Sequence, residues 1–312
     1  MKNIPTLYIV VPCYNEERVL PLMMPVFLEK LDGLKRRGFI SENSCVLFVD
    51  DGSLDGTWRI ICESSERFPI ICGLSFSRNC GHQNALMAGL IEASDRCDIC
   101  VSIDCDGQDS IDAIDAMVEK YMDGCEVVYG VRDDRTTDSV FKRWTAERFY
   151  GLMRFLGCDI VSNHADYRLM SNRVLKCLSG FDERNLFLRG LIPLVGFKSD
   201  IVYYSRKERQ AGQSHYPLSK MLQFALDGVF GMSIKPVRFI AVLAAGTVLC
   251  SFVAGFFCGL LAFMVLFCSG LQLLAIGCIG EYVGRVLAEV RHRPRYIIAD
   301  KTGDIFHKQG GL

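Results

Sequence analysis

Cys45-Val46-Leu47-Phe48-Val49-Asp50-Asp51-Gly52-Ser53 sets a short apolar run against two carboxylates and a Gly-Ser turn. The run is too short for a helix and is bounded by turn residues, so Cys45–Val49 reads as a buried strand with Asp50 and Asp51 at its carboxyl end. The same design returns at Ile99–Ile103, closed by Asp104-Cys105-Asp106. Open parallel sheets bind ligands in the crevice outside the carboxyl ends of their strands. Carboxylates gathered there repel one another and a bare phosphate. They make chemical sense when a divalent cation sits between them and a phosphorylated ligand. These residues alone therefore point to a site for a metal-bound nucleotide.

Outward from these two runs the pattern alternates. Leu7–Val11, Ile70–Phe76 and Val127–Val131 are further apolar strand-length runs, and helical periodicity lies between the strands at Val19–Arg37, Thr57–Phe68, His82–Ala93 and Ile111–Tyr121. Strands alternating with helices predict an α/β fold with a doubly wound, mostly parallel sheet. From about Val140 the alternation fades into a mixed segment.

The 312 residues, half of them hydrophobic, hold one large domain or two modest ones. Lysine plus arginine (35) nearly cancel aspartate plus glutamate (36), which argues against nucleic acid as a partner. Fifteen cysteines, odd in number and without framework spacing, indicate a reducing compartment. Cys97-Asp98-Ile99-Cys100 has no second pair and reads as small core side chains rather than a zinc half-site. Met1–Val11 carries one lysine and too short an apolar run for a signal peptide, so the amino-terminal portion is expected in the cytosol.

Near the other end, Phe239 to Gly280 contains no charged residue. One bilayer crossing takes about 20 apolar residues, so the run suffices for two. Lys235 and Arg238 precede it, and Arg285, Arg291, Arg293 and Arg295 follow it. Basic residues on both flanks place both on the cytosolic side, which two crossings satisfy and one does not. A two-helix transmembrane hairpin turning near Gly255 to Leu260 follows. Gly270, Gly277, Gly280 and Gly284 would let its helices approach closely. The same small-residue faces suit a homo-oligomer unless the hairpin consumes them. Before the hairpin, Leu218, Met221, Leu222, Ala225, Leu226 and Val229 recur at helical spacing, which suits either a helix in the bilayer surface or ordinary packing on the soluble domain.

Five motifs then carry a resemblance. Ile9-Val10-Val11-Pro12-Cys13-Tyr14-Asn15-Glu16-Glu17, Val49-Asp50-Asp51-Gly52-Ser53-Leu54-Asp55-Gly56-Thr57, Arg78-Asn79-Cys80-Gly81-His82 and Asp104-Cys105-Asp106-Gly107-Gln108-Asp109 resemble, in order, the motifs of family-2 glycosyltransferases with the GT-A fold. Arg209-Gln210-Ala211-Gly212-Gln213-Ser214-His215-Tyr216-Pro217 is similar to the acceptor-side motif of one branch, the polyprenyl-phosphate hexosyltransferases. That branch includes dolichyl-phosphate mannose synthases and bacterial undecaprenyl-phosphate glucosyltransferases. The resemblance divides the chain into a cytosolic GT-A catalytic domain (1–216), an interfacial juxtamembrane helix (217–235), two transmembrane helices (236–290) and a cytosolic tail (291–312). It implies a multi-pass protein of the bacterial cytoplasmic membrane with its catalytic domain and both termini in the cytosol.

The resemblance also implies roles. Pro12, Tyr14, Glu16, Asp50, Asp51, Asp104 and Arg132 would bind the nucleotide sugar. Asp106, with Gln108 as helper, would hold Mg²⁺ or Mn²⁺. Arg143, Arg209, Ser214, His215 and Lys220 would meet the lipid phosphate. Asp166 matches a proposed catalytic base, or else orients Arg168 or a sugar hydroxyl. The second ionisation of a phosphate monoester has a pKa of about 6, so a lipid phosphate is already mostly deprotonated at neutral pH and a general base is optional. Cationic positioning is then the larger need. The implied reaction is inverting transfer of one hexose to undecaprenyl phosphate, with glucose from UDP-glucose first and N-acetylglucosamine or mannose behind it. A lipid alcohol such as diacylglycerol is the alternative acceptor, and a silent membrane scaffold the non-enzymatic reading. Two departures stand out. Gln213 and His215 replace an acidic residue and a lysine of the acceptor motif, and Arg143-Trp144 lacks the glutamine of processive synthases.

Overall fold

A computed structural model of the chain describes residues 4–133, 164–181, 183, 186–205, 261–291 and 293–303. Its first half follows the alternation: β1 (Leu7–Cys13), α1 (Leu20–Arg36), β2 (Cys45–Asp50), α2 (Thr57–Arg67), β3 (Ile71–Phe76), α3 (His82–Ser94), β4 (Ile99–Ser102), α4 (Ala113–Met122) and β5 (Val127–Arg132). There follow β6 (His164–Ser171), α5 (Asn172–Ser179), α6 (Leu188–Leu194), β7 (Ser199–Tyr204), α7 (Leu261–Val290) and β8 (Ile298–Thr302). All eight strands join one sheet in the order β7-β5-β6-β4-β1-β2-β3-β8.

The central strands are buried on both faces, so they read as continuous apolar runs rather than alternating ones. Leu7, Ile9 and Val11 pack with Phe27, Leu31, Ile61 and Met117 from α1, α2 and α4, while Tyr8 and Val10 face Leu86, Leu90, Leu175 and Leu188 from α3, α5 and α6. Helices on both faces make the sheet doubly wound. β1 pairs in parallel with β2 and β4, which puts Asp50 and the Asp104-Cys105-Asp106 turn at one end of the sheet, on either side of β1.

The sheet is parallel at its centre and mixed at its margins. β6 runs antiparallel between β4 and β5, and β8 runs antiparallel to β3. β6 escapes a reading by apolar runs because Asp166 and Arg168 both point into the protein and are buried. The segment set apart in the sequence as a tail returns to the sheet as β8. Phe76 stacks on Tyr296 with ring centroids 4.7 Å apart, Ser77 donates its amide to the Ile297 carbonyl at 3.0 Å, and Lys301 pairs with Glu92.

Within α7, Phe267–Gly284 is long and apolar enough to cross a membrane, and none of that window is buried against the rest of the described structure. It is one helix. The other crossing expected within 236–260 and the interfacial helix expected at 217–235 lie outside the described residues. The described residues thus carry a single candidate crossing and do not support the multi-pass topology expected from the sequence.

Candidate active site

The loops after β1 and β2 are laced together by side chains that bond the opposite backbone. Asn15 takes its amide to Ser53 Oγ (2.9 Å), and its own Oδ1 accepts from the Leu54 amide (2.9 Å). Glu16 donates its amide to Thr57 Oγ1 (2.8 Å), and Glu17 accepts from the Gly56 amide (2.9 Å). Asn15 adopts φ 56° to make this turn, a left-handed conformation that asparagine tolerates better than most residues. Pro12, next to last in β1, is buried, Glu16 is half-buried, and Tyr14 is 42% exposed at the lip.

Asp50 and Asp51 are buried and fully engaged. Asp50 accepts from Ser75 Oγ (2.8 Å) and from the Ser53 amide (3.2 Å). Asp51 accepts from the amides of Cys80 (2.7 Å) and Gly81 (2.9 Å). Burial raises the Asp51 pKa, although those two amides oppose the shift. The β2 acidic pair therefore pins the turn after β3. Gly52 makes the approach feasible: it sits at φ 65°, and a Cβ there would lie 2.3 Å from the Arg78 carbonyl carbon.

The pinned turn joins the two acidic clusters. Gly81 donates to Asp51, and the next residue, His82, begins α3 and puts Nε2 3.7 Å from Asp104 and 3.6 Å from Asp166. The β4/β6 ladder explains why Asp166 is there. Ser102 pairs with Arg168, so the antiparallel register carries Asp104 toward Asp166, and Ser102 Oγ donates to the Asp166 carbonyl at 2.7 Å.

Electrostatics at this junction pull the three groups apart. Burial raises the Asp104 pKa to about 6, with Asp166, Asp109 and Asp106 adding to the rise and His82 opposing it. Burial works against the His82 imidazolium, but the close Asp166 carboxylate and the charge of Asp104 outweigh it and raise its pKa to about 9. Asp166 goes the other way. Although burial disfavours its charge, Arg189, the nearby His82 and Arg168 hold it well below the usual carboxylate range. Its Oδ1 bonds Arg168 Nη2 and Arg189 Nε (3.2 Å), and its Oδ2 bonds Arg189 Nη2 (3.3 Å) and Gln83 Nε2 (3.4 Å).

Asp106 Oδ1 accepts from the Gln108 amide (3.0 Å) across Gly107. Among the described residues no three His, Cys, Asp or Glu side chains form a ready-made metal cluster. Asp104 and Asp106 nevertheless supply hard oxygen donors of the kind Mg²⁺ and Mn²⁺ prefer. Burial, with the charges of Asp166, Asp109 and Asp106 adding to it, disfavours the Asp104 carboxylate, and a bound cation would offset that cost. The donor set fits such an ion. On the far flank Asp109 accepts from Tyr204 Oη (2.6 Å) and Arg132 Nη2 (3.3 Å), which aims Arg132 from the end of β5.

The structure thus brings Pro12, Tyr14, Glu16, Asp50, Asp51, Asp104, Asp106, Gln108, Arg132 and Asp166 to one end of the sheet. Arg143, Arg209, Ser214, His215 and Lys220 lie outside the described residues. Sequence reasoning gave no individual role to His82, Arg189, Gln83, Asp109 or Tyr204. The Gly81-His82 pair at the start of α3, after the turn that follows β3, was the one local signal for His82. Arg189 had none.

Residues 8–179 match the family model for glycosyl transferase family 2. The chain belongs to that family. It is 47% identical over 307 residues to the uncharacterized glycosyltransferase YkoT of Bacillus subtilis (strain 168), covering 94% of this chain and 91% of the relative. It is 36% identical over 308 residues to the bactoprenol glucosyl transferase of Shigella phage SfV, covering 94% and 98%. Among solved structures it is similar to the mannosyltransferase PcManGT of Pyrobaculum calidifontis in complex with GDP-Man and Mn²⁺, at 16% identity and a TM-score of 0.44, covering 90% and 88%.

Proposed function

We propose that this glycosyltransferase moves a single hexose, with inversion, from a nucleotide sugar to undecaprenyl phosphate at the cytosolic face of the bacterial cytoplasmic membrane, with UDP-glucose as the first-choice donor. The observation that carries the reading is the end-to-end match to a protein named bactoprenol glucosyl transferase. The apolar helix α7 and the acid-lined crevice support it.

In this reading the laced loops after β1 and β2 seat the nucleoside, with Tyr14 at the lip and Glu16 inside. Asp106, with Asp104 and Gln108, would hold Mg²⁺ or Mn²⁺ against the diphosphate. The bound cation neutralises charge on the departing nucleoside diphosphate. An oxygen of the acceptor phosphate forms the new bond to the anomeric carbon as the bond from that carbon to the diphosphate oxygen breaks, and the electron pair leaves with the nucleoside diphosphate. No proton need be removed from an already ionised phosphate. Asp166 is a positioning residue here: a carboxylate held this far below the usual range is a weak base, and an efficient one would have a pKa near the working pH. A lipid alcohol acceptor would need such a base, which disfavours the diacylglycerol alternative.

The test is incubation of the purified full chain with undecaprenyl phosphate and UDP-glucose, UDP-N-acetylglucosamine or GDP-mannose in turn, followed by mass spectrometry of the lipid. The expected product is undecaprenyl phosphate heavier by one hexose, from UDP-glucose. Absence of any sugar-lipid phosphate product from all three donors overturns the reading.

A further inference from the structure

One lip of the crevice carries aliphatic and cationic side chains together. Leu54, in the loop after β2, is 89% exposed, and Ile297, just ahead of β8, is 60% exposed. A single exposed aliphatic residue is ordinary. These two share one lip, because the turn after β3 touches the backbone on both sides of it. A Cβ on Gly52 would lie 2.3 Å from the Arg78 carbonyl carbon, and Ser77 of the same turn donates to the Ile297 carbonyl at 3.0 Å. Arg78 on that turn is exposed, as are Arg291 and Arg293 in the segment leading to Ile297. Among the described residues no carboxylate pairs with any of these three arginines. The acids of the loop after β2 and its neighbour are taken up by backbone amides: Glu17 accepts from Gly56 (2.9 Å) and Asp55 from Thr57 (3.0 Å).

The covalent chain says what lies close to this lip. The candidate crossing Phe267–Gly284 continues as α7 to Val290, itself 65% exposed, and Ile297 follows seven residues later. Fully extended, that link spans about 25 Å at most, so the lip is tethered to the end of the apolar helix. Basic residues just past a crossing stand at the cytosolic headgroups, the place Arg291 and Arg293 occupy in the sequence. Exposed aliphatic groups set among arginines suit the surface of an anionic leaflet: the alkyl groups enter the boundary between headgroups and acyl chains, and the guanidinium groups gain from the negative surface potential.

We propose that this lip docks on the anionic surface of the bilayer that α7 enters, with Leu54 and Ile297 reaching the acyl boundary and Arg78, Arg291 and Arg293 among the headgroup phosphates. This rests on the membrane reading above and adds to it a contact made by loops of the catalytic domain itself. The lip lies at the carboxyl ends of β2 and β3, the end of the sheet that also carries Asp50, Asp51, Asp104 and Asp106. Docking there brings that end of the sheet to the leaflet that holds the lipid acceptor.

The experiment is tryptophan fluorescence of the full chain in nanodiscs of phosphatidylglycerol and phosphatidylcholine, with and without bromine on the acyl chains as a contact quencher. Leu54→Trp and Ile297→Trp probe the lip, Leu273→Trp probes α7, and Ile4→Trp, 52% exposed ahead of β1 at the other end of the sheet, is the control. Trp58 and Trp144 set the baseline in wild type. The added emission of Leu54→Trp and Ile297→Trp should be lost in brominated discs, as for Leu273→Trp, and kept for Ile4→Trp. The loss at the two lip positions should shrink in pure phosphatidylcholine, and an equal loss there overturns the anionic selectivity. Lip variants that keep their emission while Leu273→Trp loses it overturn the proposal. A blue shift at the lip without bromine quenching would mean that a protein partner covers it and overturns the proposal equally. Should Leu54→Trp fail to fold, Ile297→Trp decides alone. Undiminished emission of Leu273→Trp would instead remove the crossing on which the inference stands.

Discussion

Asp166 and Asp106 are both carboxylates at the mouth of the sheet, yet their surroundings assign them different work. Asp166 is 9% exposed and paired with a guanidinium that is not exposed at all. Replacing it by asparagine leaves Arg168 buried without its counter-charge, a change that typically costs about 3–5 kcal/mol. Asp166→Asn should therefore lower the unfolding midpoint clearly, and its transfer rate per folded molecule should fall only modestly. Asp106→Ala should nearly abolish transfer with little loss of stability. Equal collapse of radiolabel transfer in both would mean that the acceptor needs a base after all.

The depressed Asp166 pKa makes a second prediction at the same residue. A carboxylate whose folded pKa lies below its unfolded value of about 3.9 adds stability that is fully present above that unfolded value and disappears as pH falls through the folded one. Denaturant titrations should show the stability gap between wild type and Asp166→Asn narrowing as pH falls below about 4. Gly52 offers a steric counterpart. Alanine there meets the Arg78 backbone and a strained φ, so Gly52→Ala should displace the turn held by Asp51 and raise the UDP dissociation constant, measurable by calorimetry.

At the level of elements, β8 matters most. It shields the outer side of β3, a strand that would otherwise present an open edge. Its lead-in grips the first residues of the turn carrying Gly81 and His82, through the Phe76–Tyr296 stack and the Ser77–Ile297 hydrogen bond. Tyr296→Ala should consequently raise the donor KM more than the acceptor KM, with protection of the Ser77–Gly81 amides from hydrogen exchange falling in parallel. Unchanged exchange in that turn would separate β8 from the site. β6 shows the opposite relation between sequence and element. Its two buried charges hide it from any search for apolar runs, and the same two charges assemble the cluster around Asp166.

For the molecule as a whole, the segment 291–297 between α7 and β8 spans at most about 25 Å when fully extended. The end of the apolar helix is thereby kept close to the strand that leads into the site. Under the proposed function, chelation with EDTA should stop transfer and excess Mg²⁺ or Mn²⁺ should restore it. Undiminished transfer in EDTA would remove the cation from the reaction. The family itself was legible from ordered motifs, because each places a particular residue type at a strand end where the backbone alone dictates what it can face. Position along the chain was enough to expect Asp50, Asp51, Asp104 and Asp106 at one end of the sheet, where β1 pairs in parallel with β2 and β4.

Local pattern was enough for the alternating strands and helices, the acidic strand ends, the apolar carboxy-terminal run and the glycosyltransferase resemblance, since periodicity and turn chemistry act between near neighbours. The meeting of His82, Asp104, Asp166 and Arg189 was not, because those residues come from α3, the turn after β4, β6 and α6 and are brought together by an antiparallel strand whose pairing the chain order does not announce. Their charges acquire chemical meaning only inside the fold, where burial and proximity raise one carboxylate to about 6 and drive its neighbour far down.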